Sequence, residues 1–315
     1  MPLLEILTRT LEVTLPVFVM VFVGMGLRRI GWIDAAFVAT ASSLIFKATL
    51  PALVFLSLIR ADLGEALNLP LLGFFALATL VQFALCWGWA RYRVPPSDRG
   101  TYIQGAFRGN CGIVGLALAH AMYGDYGLSA GSVLLGLVIV LYNSLSVVAL
   151  IVHQPGPTGS ATTLGRNIAT NPLIIAVIAA LPFAALDITL PGWVMHTGDL
   201  FASLTLPLAL ICIGGTLSLA ALRTSGRSAV SASLFKMLWL PALATLAALA
   251  SGFHGRELGL LFLYFAAPTA TGSFVMARAL GGNAPLAANI IAMTTLAASV
   301  TVTLGIFTLQ LAGWV

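Results

Sequence analysis

The amino-acid sequence predicts an all-α membrane protein of ten transmembrane helices in two inverted five-helix repeats, with the fourth and ninth helices broken. Three observations predict this class. Of the 315 residues, 59% are hydrophobic and 8% charged, where soluble domains carry roughly 45–50% and about 25%. Similar punctuation recurs in the two halves of the chain. Two apolar stretches, Phe107 to Gly124 and Phe265 to Gly282, are interrupted by glycines and polar residues that a lipid-facing helix has no reason to hold.

Apolar runs of about 20 residues suffice to cross a bilayer. Ten can be drawn, at 8–27, 33–58, 69–90, 99–123, 130–152, 171–186, 192–219, 229–251, 257–279 and 285–312. The N-terminal segment carries Glu5 and Glu12 and lacks a basic start followed by a small-residue cleavage site, so it reads as the beginning of the first span. The longest connection is rich in Gly, Pro, Ser and Thr. It divides the chain into residues 1–152, a cytoplasmic linker at 153–170, and residues 171–315.

The net charge of +5 reflects loop arginines, with no nucleic-acid partner implied. The loops after odd-numbered spans contain Arg28, Arg29, Arg91, Arg93, Arg99, Arg166, Arg223, Arg227 and Arg278, against Arg9, Arg60 and Arg256 on the opposite side. Positive loops stay cytoplasmic, which places both termini on the non-cytoplasmic side of the cell inner (plasma) membrane. Five spans per half is an odd number, so the second half enters the membrane upside down relative to the first. Thr14-Leu15-Pro16 is answered 156 residues on by Thr170-Asn171-Pro172, and Thr49-Leu50-Pro51 by Thr205-Leu206-Pro207 at the same offset. The interrupted stretches align at an offset of 158.

Paired interrupted helices are the best sequence pointer to a transporter site, because free backbone groups at membrane depth are tolerated only in protein or beside a water-filled cavity. In the first stretch, Gly109 and Gly112 let the backbone leave helical geometry and Asn110 supplies an amide. Gly112 serves equally as a helix-packing residue, and Asn110 as a partner for freed backbone groups. In the second, Pro268 removes a donor, and Thr269, Thr271 and Ser273 bring hydroxyls beside Gly272. Half-helix N-termini favour an anionic group. Arg108, roughly 13 Å deep at 1.5 Å per residue, either faces such a ligand or pairs with a carboxylate, for which Asp199 is the evident candidate. Cys111 lies in the break; with Cys86 and Cys212 it shows no CxxC spacing and reads as a small apolar residue. Asn143 and Asn289 are further polar candidates for the cavity.

Lys47, Lys236 and Asp199 are the other ionisable residues inside spans and are the coupling candidates. Lys236 is expected to snorkel to the cytoplasmic surface, Lys47 to do the same or neutralise a substrate, and Asp199 to titrate or pair with a cation. Sodium sites gather several acidic or amide oxygens, which are scarce here, so protons or uniport are favoured over sodium. No HExxH, GxSxG or paired-aspartate motif argues for an enzyme. The scattered histidines provide no axial pair for haem, no repeated filter suggests a channel, and no metal or cofactor is implied.

The sequence resembles the auxin efflux carrier family, which joins bacterial malonate and malate permeases to plant PIN carriers. The likeness covers nearly the whole chain. Its most specific part is Arg108-x-Asn110-x-Gly112-x-x-Gly115 with Met122-Tyr123-Gly124, together with Asn171-Pro172, Leu206 to Leu210 leading to Gly214-Gly215, and Ala267-Pro268. The resemblance implies an architecture similar to the bile-acid/sodium symporters, with helices four and nine crossing at their breaks. It also implies a scaffold of spans 1, 2, 6 and 7, often dimeric, against which spans 3–5 and 8–10 move as an elevator. The substrates implied are organic anions. The plant carriers have prolines at the crossing, where Gly109 and Ser273 look like the matching positions, a departure that sets aside auxin-like specificity. The expectation is a homodimeric secondary transporter for a small carboxylate. A sodium-coupled symporter and a non-transporting receptor on the same fold are the alternatives.

Overall fold

The computed structural model describes residues 3–61, 68–153, 170–186, 188–217 and 226–315. Arg166, Arg223 and nearly all of the expected linker lie outside the described residues. The chain runs through α1 (Leu3–Arg29), α2 (Ala35–Ile59), α3 (Leu69–Arg93), α4 (Arg99–Phe107), α5 (Cys111–Val152), α6 (Pro172–Ala185), α7 (Gly192–Thr216), α8 (Arg227–Ala250), α9 (Gly255–Ala266), α10 (Gly272–Ala279) and α11 (Ala284–Leu311). Among the described residues no β-strand forms; one isolated antiparallel bridge joins Gly109 to Thr269. Seven helices, α1, α2, α3, α5, α7, α8 and α11, are long and apolar enough to cross a membrane by length and composition. The protein is an integral membrane protein.

Local chemistry sets the helix ends. Asp34, Asn68, Asn171 and Asn283 cap α2, α3, α6 and α11 through side-chain oxygens that accept N–H groups of the first turn. Pro51 and Pro241 have no N–H to give. The turns leading into them, Ile45–Thr49 and Phe235–Trp239, widen to π geometry, with Leu50 and Leu240 donating to Ile45 and Phe235 five residues back.

The 42 residues of α5 would extend roughly 63 Å as one rod at 1.5 Å per residue, about twice the hydrocarbon thickness. The chain instead turns back at Gly124, whose φ of 57° and ψ of −134° are non-helical. A Cβ on Gly127 would fall 2.0 Å from the Ala119 carbonyl oxygen, and one on Gly131 3.0 Å from Leu116 Cδ1. Contacts between residues so far apart in sequence occur only if the two arms run side by side. The expected loop between spans four and five is thus compressed into a turn centred on one glycine, whose positive φ carries no Cβ penalty.

Two groups of helices pack most intimately. α1 lies against the second half of α7, and the second half of α2 lies against α6. The α1/α7 contact is backbone to backbone: a Cβ on Gly24 would stand 2.1 Å from Ile211 O, and one on Gly214 1.9 Å from Val21 O. Small residues permit this approach where lipid offers helices no hydrophobic drive to associate. Around the other end of the fold, α4, α5, α9 and α11 bury Tyr102, Phe107, Leu116, Tyr264 and Phe265 almost completely.

Candidate functional site

Helix α4 stops at Phe107, and Arg108 leaves with extended dihedrals (φ −79°, ψ 109°). Helix α9 stops at Ala266, ahead of Pro268. The two non-helical segments meet and satisfy each other: Asn110 N–H donates to Pro268 O at 2.6 Å, and Ala270 N–H donates to Arg108 O at 3.2 Å. Two breaks 160 residues apart therefore share one short antiparallel pairing, which removes polar backbone groups from the apolar interior. Gly109 pairs with Thr269, while Ser273, named with Gly109 as a position matching the crossing prolines, lies four residues further on. Pro268 ends its helix early, so the extended register begins there, and by Ser273 the chain is helical again.

The expected binding residues divide into those that face a cavity and those that build its frame. A cavity of about 250 Å³ is lined by Arg108, Gly109, Asn110, Cys111, Gly112, Asn143, Thr271 and Gly272, with Lys47 at its edge. Pro268, Thr269 and Ser273 do not line it. Pro268 contributes the acceptor for Asn110. Thr269 is held by its own N–H on Thr294 Oγ1 (3.1 Å) and its hydroxyl on Gly105 O (2.7 Å), so it locks the frame. Ser273 is buried, and its hydroxyl has no partner among the described residues. Asn289 is half-buried on α11 and lies off the cavity.

Arg108 does not pair with Asp199. Its guanidinium Nη2 donates to Asn143 Oδ1 at 3.0 Å, and Nη1 contacts the Met276 sulfur. Asp199 is taken by Arg60 at 2.8 Å, with both side chains nearly half exposed (45% and 46%). Lys236 does not snorkel either: it is fully buried, and Nζ donates to Phe265 O at 2.8 Å. The reason is local. Thr269 N–H, which an unbroken helix would give to the Phe265 carbonyl, is spent on Thr294. An acceptor is left free within the protein, and Lys236 reaches it more readily than the membrane surface.

Sequence reasoning missed Tyr142, Asn171 and Met276. Tyr142 and Asn171 line the cavity. Tyr142 adjoins Asn143 in an otherwise apolar helix, and Asn171 drew notice only as punctuation before Pro172. Met276 gives no sequence signal.

The cavity wall combines the N-terminal ends of α5 and α10, at Cys111-Gly112 and Thr271-Gly272, with Arg108 and Lys47. Among the described residues no acidic side chain lines it. Leu135, Val138, Ile139 and Phe46 add apolar wall beside Tyr142 and Asn171. Helix N-termini and cations that meet no carboxylate among the described residues both add positive potential at the cavity wall. The space suits a small anion with an apolar body.

An apolar helical fold with two paired breaks framing such a cavity defines a membrane transport protein. Comparison with known proteins agrees: a family model described as membrane transport protein matches twice, over residues 10–157 and 157–306. The chain belongs to this family, the auxin efflux carrier family. It is similar to an uncharacterized transporter of Methanothermobacter thermautotrophicus, with 25% identity over 90% of this chain and 93% of the relative. It is also similar to an uncharacterized transporter of Methanocaldococcus jannaschii, with 22% identity over 97% of this chain and 98% of the relative.

Proposed function

We propose that the protein is a secondary transporter that moves a small organic anion, a carboxylate, across the membrane by elevator-type alternating access. The observation that carries this reading is the charge of the cavity, which has Arg108 and Lys47 in its wall and, among the described residues, no acidic side chain. The carboxylate is held by Arg108 and Asn143, with Asn110 and the N–H groups at the start of α5 and α10 beside it, and its apolar part rests on Leu135, Val138 and Ile139. Ten crossings in two inverted halves account for the repeated family match and the turn at Gly124, with α4 plus the first arm of α5, and α9 plus α10, as the two broken spans. The scaffold is α1, α2, α6 and α7, whose close packing within the chain supports a rigid body, and the protein works as a homodimer. Helices α3 to α5 and α8 to α11 move against it.

The reading is tested by a thermal-shift screen of the purified protein against mono- and dicarboxylates, followed by flux of any stabilising acid into proteoliposomes. A ligand that favours the folded state raises its apparent stability. Stabilisation by a carboxylate together with saturable flux is the expected result. Binding without flux would identify a receptor, and no response to any carboxylate would overturn the reading.

Proton coupling or uniport is favoured over sodium coupling. Asp199 is a weak candidate for the coupling group, since an exposed ion pair such as Arg60–Asp199 is worth about 0–1 kcal/mol and lies off the cavity. Asp199→Asn is therefore expected to leave uptake within about twofold of the wild type, with the same response to an imposed proton gradient. Loss of that response in the variant would restore Asp199 as the coupling group.

A further inference from the structure

Lys236 sits where a charge needs a reason. It occupies the widened turn of α8 before Pro241 and is fully buried. Neither of the two ion pairs among the described residues includes it. The ionisable groups facing it are the thiols of Cys86 on α3 and Cys111 on α5, both buried, and Arg108 directly precedes Gly109 in the chain. Its hydrogen bond goes to Phe265 O, in the last turn of α9, at the partially negative end of a half-helix. On its other side is Gly109: a Cβ there would stand 3.2 Å from Lys236 Nζ, 3.3 Å from Ala267 O and 3.3 Å from Cys111 Sγ. Gly109 itself lines the cavity, so one residue of backbone separates the Lys236 nitrogen from the space that would hold an anion.

Taking an ammonium out of water costs several kcal/mol unless its surroundings compensate. A methionine of similar length would fill the same space without that cost. What the ammonium adds is a positive charge that neutralises the carbonyl end of α9 and raises the potential behind Gly109.

We propose that Lys236 is a built-in cation of the paired break: a positioning residue, attached to α8, that does what a co-bound metal ion would otherwise do. Organic-anion binding at the cavity then needs no sodium. The inference rests on the organic-anion reading above and adds to it the group that supplies the cation.

The test uses the purified full-length protein, titrated calorimetrically with acetate, malonate, succinate and benzoate in choline chloride and again in sodium chloride. The wild type is expected to bind its preferred acid equally in both salts. Lys236→Met is expected to keep the wild-type melting temperature and bind roughly 30-fold more weakly, the factor for a unit charge about 8 Å away at an effective dielectric of about 20. Lys236→Arg should recover most of the affinity, and propylammonium should restore binding to Lys236→Ala, neither of which a packing role would produce. Wild-type binding that requires sodium, or Lys236→Met binding like the wild type, overturns the inference and leaves the organic-anion reading standing. Failure of the wild type to bind any of the four acids overturns both. Should Lys236→Met not fold, the salt comparison on the wild type and the arginine variant still decide.

Discussion

Arg108→Met is expected to abolish carboxylate binding in the working concentration range while leaving the fold intact. Arg108 is partly buried at the cavity wall, and truncating a desolvated, hydrogen-bonded charge that faces an ionic ligand costs about 2–5 kcal/mol, which is at least about 30-fold in affinity. The structure separates this loss from a folding defect. Among the described residues the guanidinium has no acidic partner, and its contacts are the Asn143 amide and the Met276 sulfur. Removing it therefore leaves no buried counter-charge behind and relieves a desolvation cost, so the melting temperature of the unliganded variant should stay level or rise. Arg108→Lys should recover only part of the binding, because an ammonium lacks the planar fork that reaches Asn143 and a carboxylate together. Calorimetric titration and unliganded melting of the same samples give both readouts. Arg108→Met binding with unchanged affinity would show that the anion is held elsewhere.

Gly214→Ala is expected to lower the melting temperature by about 5–10 °C, the shift for a loss of about 2–3 kcal/mol in a protein of this size. The new Cβ would fall 1.9 Å from Val21 O and 2.7 Å from Met25 N. Both are backbone atoms of α1, so no side chain can swing away and the two helices must part. Gly26→Ala, on the partner helix α1, is the internal control. Nothing lies within 4 Å of its Cβ, and replacing a helical glycine there should be neutral or stabilise by about 0.5–1 kcal/mol. Equal melting temperatures for Gly214→Ala and Gly26→Ala would show that the α1/α7 contact is not the tight one described.

The site was partly legible because membrane composition is so restrictive. Arg108, Asn110 and Gly112 stand out in an apolar run, and Pro268 does the same in its partner. The residues beside them need no comparison to be noticed. Met276 and Tyr142 were not legible, since a methionine or tyrosine in an apolar helix is ordinary in itself. Their placement beside Arg108 and Asn143 depends on how α10 and the second arm of α5 lie against the break. Asp199 does pair with a cation, though with Arg60 and not Arg108, whereas the lysine was misread for the same reason. A lysine eight residues into a span is expected to reach for water, and nothing nearby in the sequence reveals that Phe265 leaves a carbonyl free 29 residues away.

Composition and local spacing by themselves determined that the chain lies in the membrane, that two spans are interrupted, and that their interruptions carry cationic and amide groups. Those properties follow from side-chain solvation and from what proline and glycine permit within a few residues. Only the tertiary structure decided that Gly109 pairs with Thr269, that Arg60 takes Asp199, and that Lys236 turns inward to the end of α9. Each is a choice among partners far apart in sequence, settled by which buried polar groups remain unsatisfied once the helices have packed.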